Sequence, residues 1–159
     1  MRLGRPRPWT IAGLLLCLSG GVLIQAWGGV TDIQRATTPA EFAVLAHNAG
    51  NQLRWASGAD IILFAPGYLI LLLAAYRRLS LPAGGYAVAA LAFAADQTEN
   101  LFLQLGLGRV SLDPGGPGVV HPDGWLIAGL RVANIAKWVL LAAAAIGLLV
   151  GWWQNRVKS

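Results

Sequence analysis

Two apolar stretches of this 159-residue chain each carry a row of charged and amide side chains at helical spacing. The two rows are Asp96, Glu99, Asn100 and Gln104, and then Arg131, Asn134 and Lys137. A charged side chain at the centre of a membrane helix costs about 2.5–3.5 kcal/mol, so four of them oppose insertion by roughly 10 kcal/mol unless they pair. Such residues mark ion or proton paths and ligand sites, or they form buried ion pairs that fix helix packing.

The composition places these rows in a membrane protein. Hydrophobic residues make up 56% of the chain and charged residues 12%, which is about half the charged share of a soluble domain. Four stretches have the roughly 20 apolar residues that a bilayer crossing needs. They are residues 9–30, 58–76, 83–107 and 125–153. We therefore predict an all-α, polytopic membrane protein with four transmembrane helices in a single domain, residues 1–159.

The basic residues divide unevenly between the two sides that four spans define. Seven fall on one side, namely Arg2, Arg5, Arg7, Arg77, Arg78, Arg156 and Lys158. Only Arg35, Arg54 and Arg109 fall on the other. Because short loops rich in Lys and Arg stay in the cytoplasm, we expect both termini to be cytoplasmic in a multi-pass protein of the cell membrane. The net charge of +5 is then a topology signal, and no nucleic-acid partner is expected.

The segment between the first two spans is too long for a simple turn. Thr38, Pro39 and Glu41 fit an N-cap, a first-position proline and a capping-box acid. They predict a helix over residues 39–56 that lies flat on the outer membrane surface through an apolar face. This interfacial helix is either a strut or a lid over a ligand site. Residues 108–124, rich in proline and glycine, predict an outer loop.

Helical geometry predicts how the two polar rows meet. The third and fourth spans must run antiparallel, since one loop on the outer side joins them. Matching their midpoints gives three level pairs, Asp96 with Lys137, Glu99 with Asn134, and Gln104 with Arg131. Because a helix rises about 1.5 Å per residue, Arg131 also reaches Glu99. We predict two ion pairs, Asp96 with Lys137 and Glu99 with Arg131, in a network that is neutral overall.

Asp60 stands near the start of the second predicted span. In a first helical turn its carboxylate would complement the positive end of the helix dipole. Its depth is also about that of Arg131, so the alternative is that it serves as a partner for the buried basic residues.

The sequence gives no sign of a metal or a cofactor. His47, His121 and Asp123 lie outside the spans, and their spacing matches no metal-ligand pattern that carries its own mechanism. A divalent cation on Asp96 and Glu99 would suit a metal-dependent lipid enzyme of the membrane, but the basic residues compete for those carboxylates. We therefore favour a protein that is not an enzyme.

Residues 95–101, Ala-Asp-Gln-Thr-Glu-Asn-Leu, contain an acid-x-x-Glu-Asn signature. This string resembles the third helix of a group of small, uncharacterised four-helix bacterial integral membrane proteins, and residues 60–68 look like their second helix. The resemblance implies a four-helix fold and a bacterial inner-membrane location. It brings no established activity.

Two functional hypotheses follow. In the first, an intramembrane polar pocket binds or passes a small polar or lipid-derived ligand, with protonation of Asp96 or Glu99 as the coupling step. Four helices enclose little volume, so transport would require a homo-oligomer or a larger membrane complex. In the second, the chain is a structural, assembly or accessory subunit whose ion pairs only fix helix packing. The acids of the first must change partner or protonation state, and those of the second must not.

Overall fold

A computed structural model describes residues 8–27, 30–110 and 121–157, and the regular structure in these ranges is helical throughout. The helices are α1 (Pro8–Trp27), α2 (Val30–Ile33), α3 (Pro39–Ala49), α4 (Asn51–Ala59), a π-helical turn (Asp60–Phe64), α5 (Ala65–Arg78), α6 (Ala83–Arg109) and α7 (Gly124–Val157). The basic residues at positions 2, 5, 7 and 158 and most of the predicted outer loop lie outside the described ranges.

Three helical stretches are long and apolar enough to cross a membrane. They are α1 up to Ala26, the continuous stretch Asn51–Arg78, and α7. Their large apolar side chains point outward in many places: on α7, Val132, Trp138 and Val139 expose 68%, 61% and 62% of their surface. Apolar surface of this extent is what lipid covers. α6 is also long, at 27 residues, but its central polar residues lower its hydropathy.

Successive long helices pack antiparallel, and the closest approach is that of α1 to the second stretch. A Cβ atom on Gly20 would lie 2.6 Å from the backbone nitrogen of Phe64, and one on Gly67 would lie 2.5 Å from the backbone nitrogen of Cys17. Only glycine permits backbones to approach this closely.

Residues 39–56 are divided between two helices, α3 and the first part of the second long stretch, so the prediction of one helix over them is wrong. Its start is as predicted: the Glu41 N–H donates to the Thr38 hydroxyl at 3.1 Å, and its carboxylate accepts from the Thr37 N–H at 2.8 Å. α3 ends at Ala49 because Gly50 has φ +58°, in the left-handed region that favours glycine.

The apolar face of α3 packs on protein. Phe42 and Ala46 are buried with Leu53 of α4, against residues of α6 and α7 that include Leu107 and Leu130. The amphipathic pattern that predicts a surface helix therefore marks a core contact at this end of the molecule.

The second long stretch also begins earlier than residue 58, because α4 continues through the π turn into α5. Asp60 is therefore not in a first helical turn, and the dipole explanation for it is wrong. The Asp60 carbonyl accepts the N–H of Ala65, five residues on. Pro66 has no N–H to give to the carbonyl four residues before it, and a wider turn just ahead of a proline relieves that mismatch.

The contact of Gly20 with the backbone of Phe64 predicts that alanine substitutions at Gly20 and Gly21 have different effects on stability. Gly20→Ala places a methyl group against backbone, so we expect a loss of about 1–3 kcal/mol in the free energy of unfolding. Gly21→Ala meets only the Phe64 ring, at 3.7 Å, and should be neutral or stabilising by up to about 1 kcal/mol. Unfolding of both detergent-purified variants measures this; equal losses would contradict the packing.

Glu41 predicts a pH dependence. The backbone N–H of Thr37 is the main cause that lowers the pKa of Glu41 below its ordinary value of 4.5, aided by the Thr37 hydroxyl and, more weakly, by Arg131. The pKa of Glu41 is lower in the folded than in the unfolded protein. The ionised Glu41 carboxylate therefore stabilises the fold fully above about pH 4.5, and this stabilisation fades as the pH falls. The unfolding temperatures of wild type and Glu41→Gln should thus converge in acid, whereas Thr38→Ala should stay lower at every pH.

Candidate functional site

Three carboxyl groups and one ammonium group lie buried where α6 meets its neighbours. Asp60, Asp96, Glu99 and Lys137 expose 6%, 1%, 0% and 7% of their surface, and they are the buried charged residues of the described ranges. Asp60 comes from the π turn, the next two from α6, and the lysine from α7. Three separate helical stretches therefore meet at one polar centre.

Lys137 bridges the two acids of α6. Its Nζ lies 3.1 Å from Asp96 Oδ1 and also contacts Glu99 Oε2. Within the described ranges these two oxygens have no hydrogen-bond partner besides this ammonium group. Asp96 and Glu99 are three residues apart on one helix face, so a single long side chain reaches both. The predicted pair of Asp96 with Lys137 is confirmed.

The second oxygen of each α6 carboxyl accepts a neutral hydrogen bond. Tyr68 Oη of α5 donates to Asp96 Oδ2 at 3.0 Å, and Asn134 Nδ2 of α7 donates to Glu99 Oε1 at 2.8 Å. Asn134 lies level with Glu99, as predicted. Tyr68 is absent from the predicted site. It was detectable as a hydroxyl in the middle of an apolar span.

Asn100 joins Asp60 to the rest of the cluster. Its Nδ2 donates to Asp60 Oδ2 at 2.9 Å and to the Asp96 carbonyl at 3.2 Å, while its Oδ1 accepts from Ser57 Oγ at 3.1 Å. Asp60 forms no ion pair with any residue of the described ranges. It is thus held by one amide hydrogen bond alone, and Ser57 is a second member that the sequence reasoning missed.

The π turn accounts for the orientation of Asp60 relative to Tyr68. In a regular helix, residues eight apart diverge, whereas residues seven apart share a face because seven residues make nearly two turns. A π turn takes up one extra residue. With that turn at Asp60–Phe64, the spacing of eight acts as a spacing of seven, and both side chains reach α6.

The remaining predicted residues lie apart from the centre. Arg131 is exposed and forms no ion pair with Glu99, so the prediction of that pair is wrong. Arg131 is six residues from Lys137, or about 120° around the helix, which turns it away when Lys137 points inward. Gln104, its predicted partner, is half-buried without a hydrogen bond to it. A further amide side chain of α6, that of Gln97, is half-buried, and its nitrogen has no hydrogen-bond partner in the described ranges.

The charge of this centre is unbalanced, where the sequence predicted two acids against two bases. With all four groups ionised, three carboxylates and one ammonium carry a net charge of −2. Burial of an uncompensated charge is costly enough that such a group takes up a proton instead. Asp60, with no cation within ion-pair distance among the described residues, is the least compensated acid of the centre.

The described residues place no metal-ligand group at the cluster, and two cavities lie apart from it. In residues 8–27, 30–110 and 121–157, no three His, Cys, Asp or Glu side chains are grouped to hold a metal ion. Two cavities lie further along α5 and α7, and none of the residues of the cluster line them.

Comparison of the chain with protein-family models, with curated proteins and with solved structures finds no match. The interpretation of the site therefore rests on its own geometry.

The bridge predicts unequal roles for the two cations of α7. Lys137→Met leaves three buried carboxyls without an ammonium group, and we expect a loss of about 3–5 kcal/mol at neutral pH. Arg131→Gln removes an exposed charge and should change the free energy of unfolding by no more than about 0.5 kcal/mol. Chemical unfolding in detergent measures both, and a larger loss for Arg131→Gln would restore the pairing predicted from sequence.

Proposed function

We propose that the chain crosses the cell membrane four times with both termini in the cytoplasm, and that α6 is the third crossing. With 27 residues, α6 is about 40 Å long, enough for a bilayer, and its acids point toward other helices. The asymmetry of the basic residues supports the orientation. The resemblance of residues 95–101 to small four-helix bacterial membrane proteins is part of this proposal, as is an outer-surface position for α3.

For function, we propose that the cluster is a proton-binding site coupled to a small polar or lipid-derived ligand. The observation that carries this proposal is the ratio of three buried carboxyl groups to one buried ammonium group. Ionisable groups at membrane depth are typical of ion paths and proton relays, and Asp60 has no ion-pair partner among the described residues.

Asp60 is the acid proposed to exchange the proton. Asp96 and Glu99 each have both oxygens bound, whereas Asp60 has a single hydrogen bond from Asn100. A ligand that carries a positive charge or donates hydrogen bonds would satisfy Asp60 in place of its proton. Exchange of one for the other is the coupling step.

The alternative is a structural or accessory subunit, and the Lys137 bridge favours it. One ammonium group that joins Asp96 and Glu99 ties α7 to α6 and fixes their register. A metal-dependent lipid enzyme has less support, because Lys137 already contacts both acids that would bind the cation.

Infrared spectroscopy of the purified protein tests the proposal. A protonated carboxyl group absorbs apart from a carboxylate, so the wild type should show a carboxylic-acid band that decreases as the pH is raised. Asp60→Asn should remove that band, while Asp123→Asn, an exposed acid that lies 3.7 Å from Arg109, should retain it. In liposomes with a trapped pH indicator, Asp60→Asn should likewise abolish any proton flux of the wild type.

A structural subunit gives the opposite result. Its carboxyl groups would each keep one protonation state between about pH 5 and about pH 9. Asp60→Asn would then leave the infrared difference spectrum unchanged. That outcome would overturn the proton-binding function and leave the packing role.

A further inference from the structure

An apolar groove lies at the end of the long helices that is remote from α3. It has a volume of about 380 Å³ and is bounded by α5, α6 and α7. Tyr76 forms its floor, where the hydroxyl donates to the Ala144 carbonyl at 2.9 Å. Glycines keep it open: a Cβ atom on Gly85 would lie 3.0 Å from the Tyr76 ring.

The length of the groove matches one leaflet of a bilayer. Along α7 its lining runs from Ala143 to Gln154, which are eleven helical steps or about 16 Å apart. Half of a hydrocarbon core of about 30 Å is about 15 Å. The α7 wall of the groove therefore has the length that the acyl chain of a lipid occupies in one leaflet.

The charge at this end of the helices has one sign, and Arg77 directly follows Tyr76 of the groove. Arg77 and Arg78 are exposed in the last turn of α5, and the Arg156 guanidinium stacks on the Trp152 ring at 4.3 Å. None of the seven Asp and Glu residues of the sequence lies between residues 61 and 95 or after residue 123. Asn155 donates to the Leu79 carbonyl at 3.1 Å, which ties the end of α7 to the turn that follows these arginines.

We propose that this groove binds one acyl chain of an anionic phospholipid, whose phosphate lies against Arg77 and Arg78. The apolar α7 wall of leaflet length accepts the chain, and the basic residues that follow Tyr76 select a negative headgroup. The inference depends on the four-span topology proposed above, since the groove opens to lipid only if α6 is in the membrane. It does not depend on proton binding by the cluster.

Lipid binding to the delipidated full-length protein in detergent, followed by native mass spectrometry, tests this. The probes are a phosphatidylglycerol and a phosphatidylcholine with the same acyl chains. We expect one tightly bound phosphatidylglycerol, with an affinity at least about fivefold above that of phosphatidylcholine, the gain that one arginine near an anionic surface gives. Arg77→Gln combined with Arg78→Gln should remove the preference and leave weaker binding of both lipids.

Substitution of two neighbouring alanines of α7 distinguishes lipid binding in the groove from lipid binding to the general surface. Ala143 lines the groove and Ala142 does not, and both are exposed. Ala143→Phe should fill the groove and abolish tight binding of both lipids, whereas Ala142→Phe should bind as the wild type does. If Ala143→Phe lowers the unfolding temperature, Gly147→Leu serves instead, because a Cβ atom there has an ordinary contact of 3.8 Å with the Tyr76 hydroxyl.

Three outcomes would overturn the inference. They are equal affinity of the wild type for the two lipids, equal loss in Ala142→Phe and Ala143→Phe, or a shift from dimer to monomer in Ala143→Phe with lipid binding unchanged, which would assign the groove to a second copy of the chain. Asp60→Asn should bind phosphatidylglycerol normally. A failure of lipid selection with a normal pH response of the carboxyl band therefore rejects this inference and leaves the proton-binding proposal standing.

Discussion

The structure depends on the burial of carboxyl groups in surroundings that do not hydrate them. Each such group has to meet a cation or hydrogen-bond donors, or hold a proton. Lys137 satisfies one oxygen of Asp96 and one of Glu99, and Tyr68 and Asn134 satisfy the other two. This requirement brings α5, α6 and α7 together at one level.

α1 packs tightly against the side of α5 that is opposite the buried carboxyl groups. Where Gly67 meets Cys17, the two backbones are too close for a side chain larger than hydrogen at position 67. The second stretch is thereby backed by α1 while its other face presents Asp60 and Tyr68 to α6. The π turn supplies the rotation that a regular helix lacks. Small residues on one side of the stretch and polar ones on the other are thus parts of one arrangement.

The sequence allowed prediction of what short-range rules govern. The capping residues located the start of α3, and an antiparallel register located the pair of Asp96 with Lys137. The break at Gly50 and the π turn were not predicted, because a helical period read across them assumes regular geometry. The prediction of an ion pair between Arg131 and Glu99 is wrong for a related reason. Its distance along α7 suits Glu99, but the rotation of α7 about its axis is set by packing that no periodicity reveals, and rotation decides which of two cations is buried.

In the proposed function, packing and proton binding fall to different acids of the same cluster. Asp96 and Glu99 share the ammonium group and have no free oxygen, so loss of either charge would weaken the α6–α7 contact. Asp60 lies beyond Asn100, whose amide donates to it and to the backbone of α6 at the same time. A proton on Asp60, as proposed, would leave this carboxyl group an oxygen that accepts from Asn100, and Asp60 is not part of the Lys137 bridge. A stable pair of helices and an exchangeable proton are therefore compatible within one buried site, provided that the proton resides on the acid that does not hold the helices together.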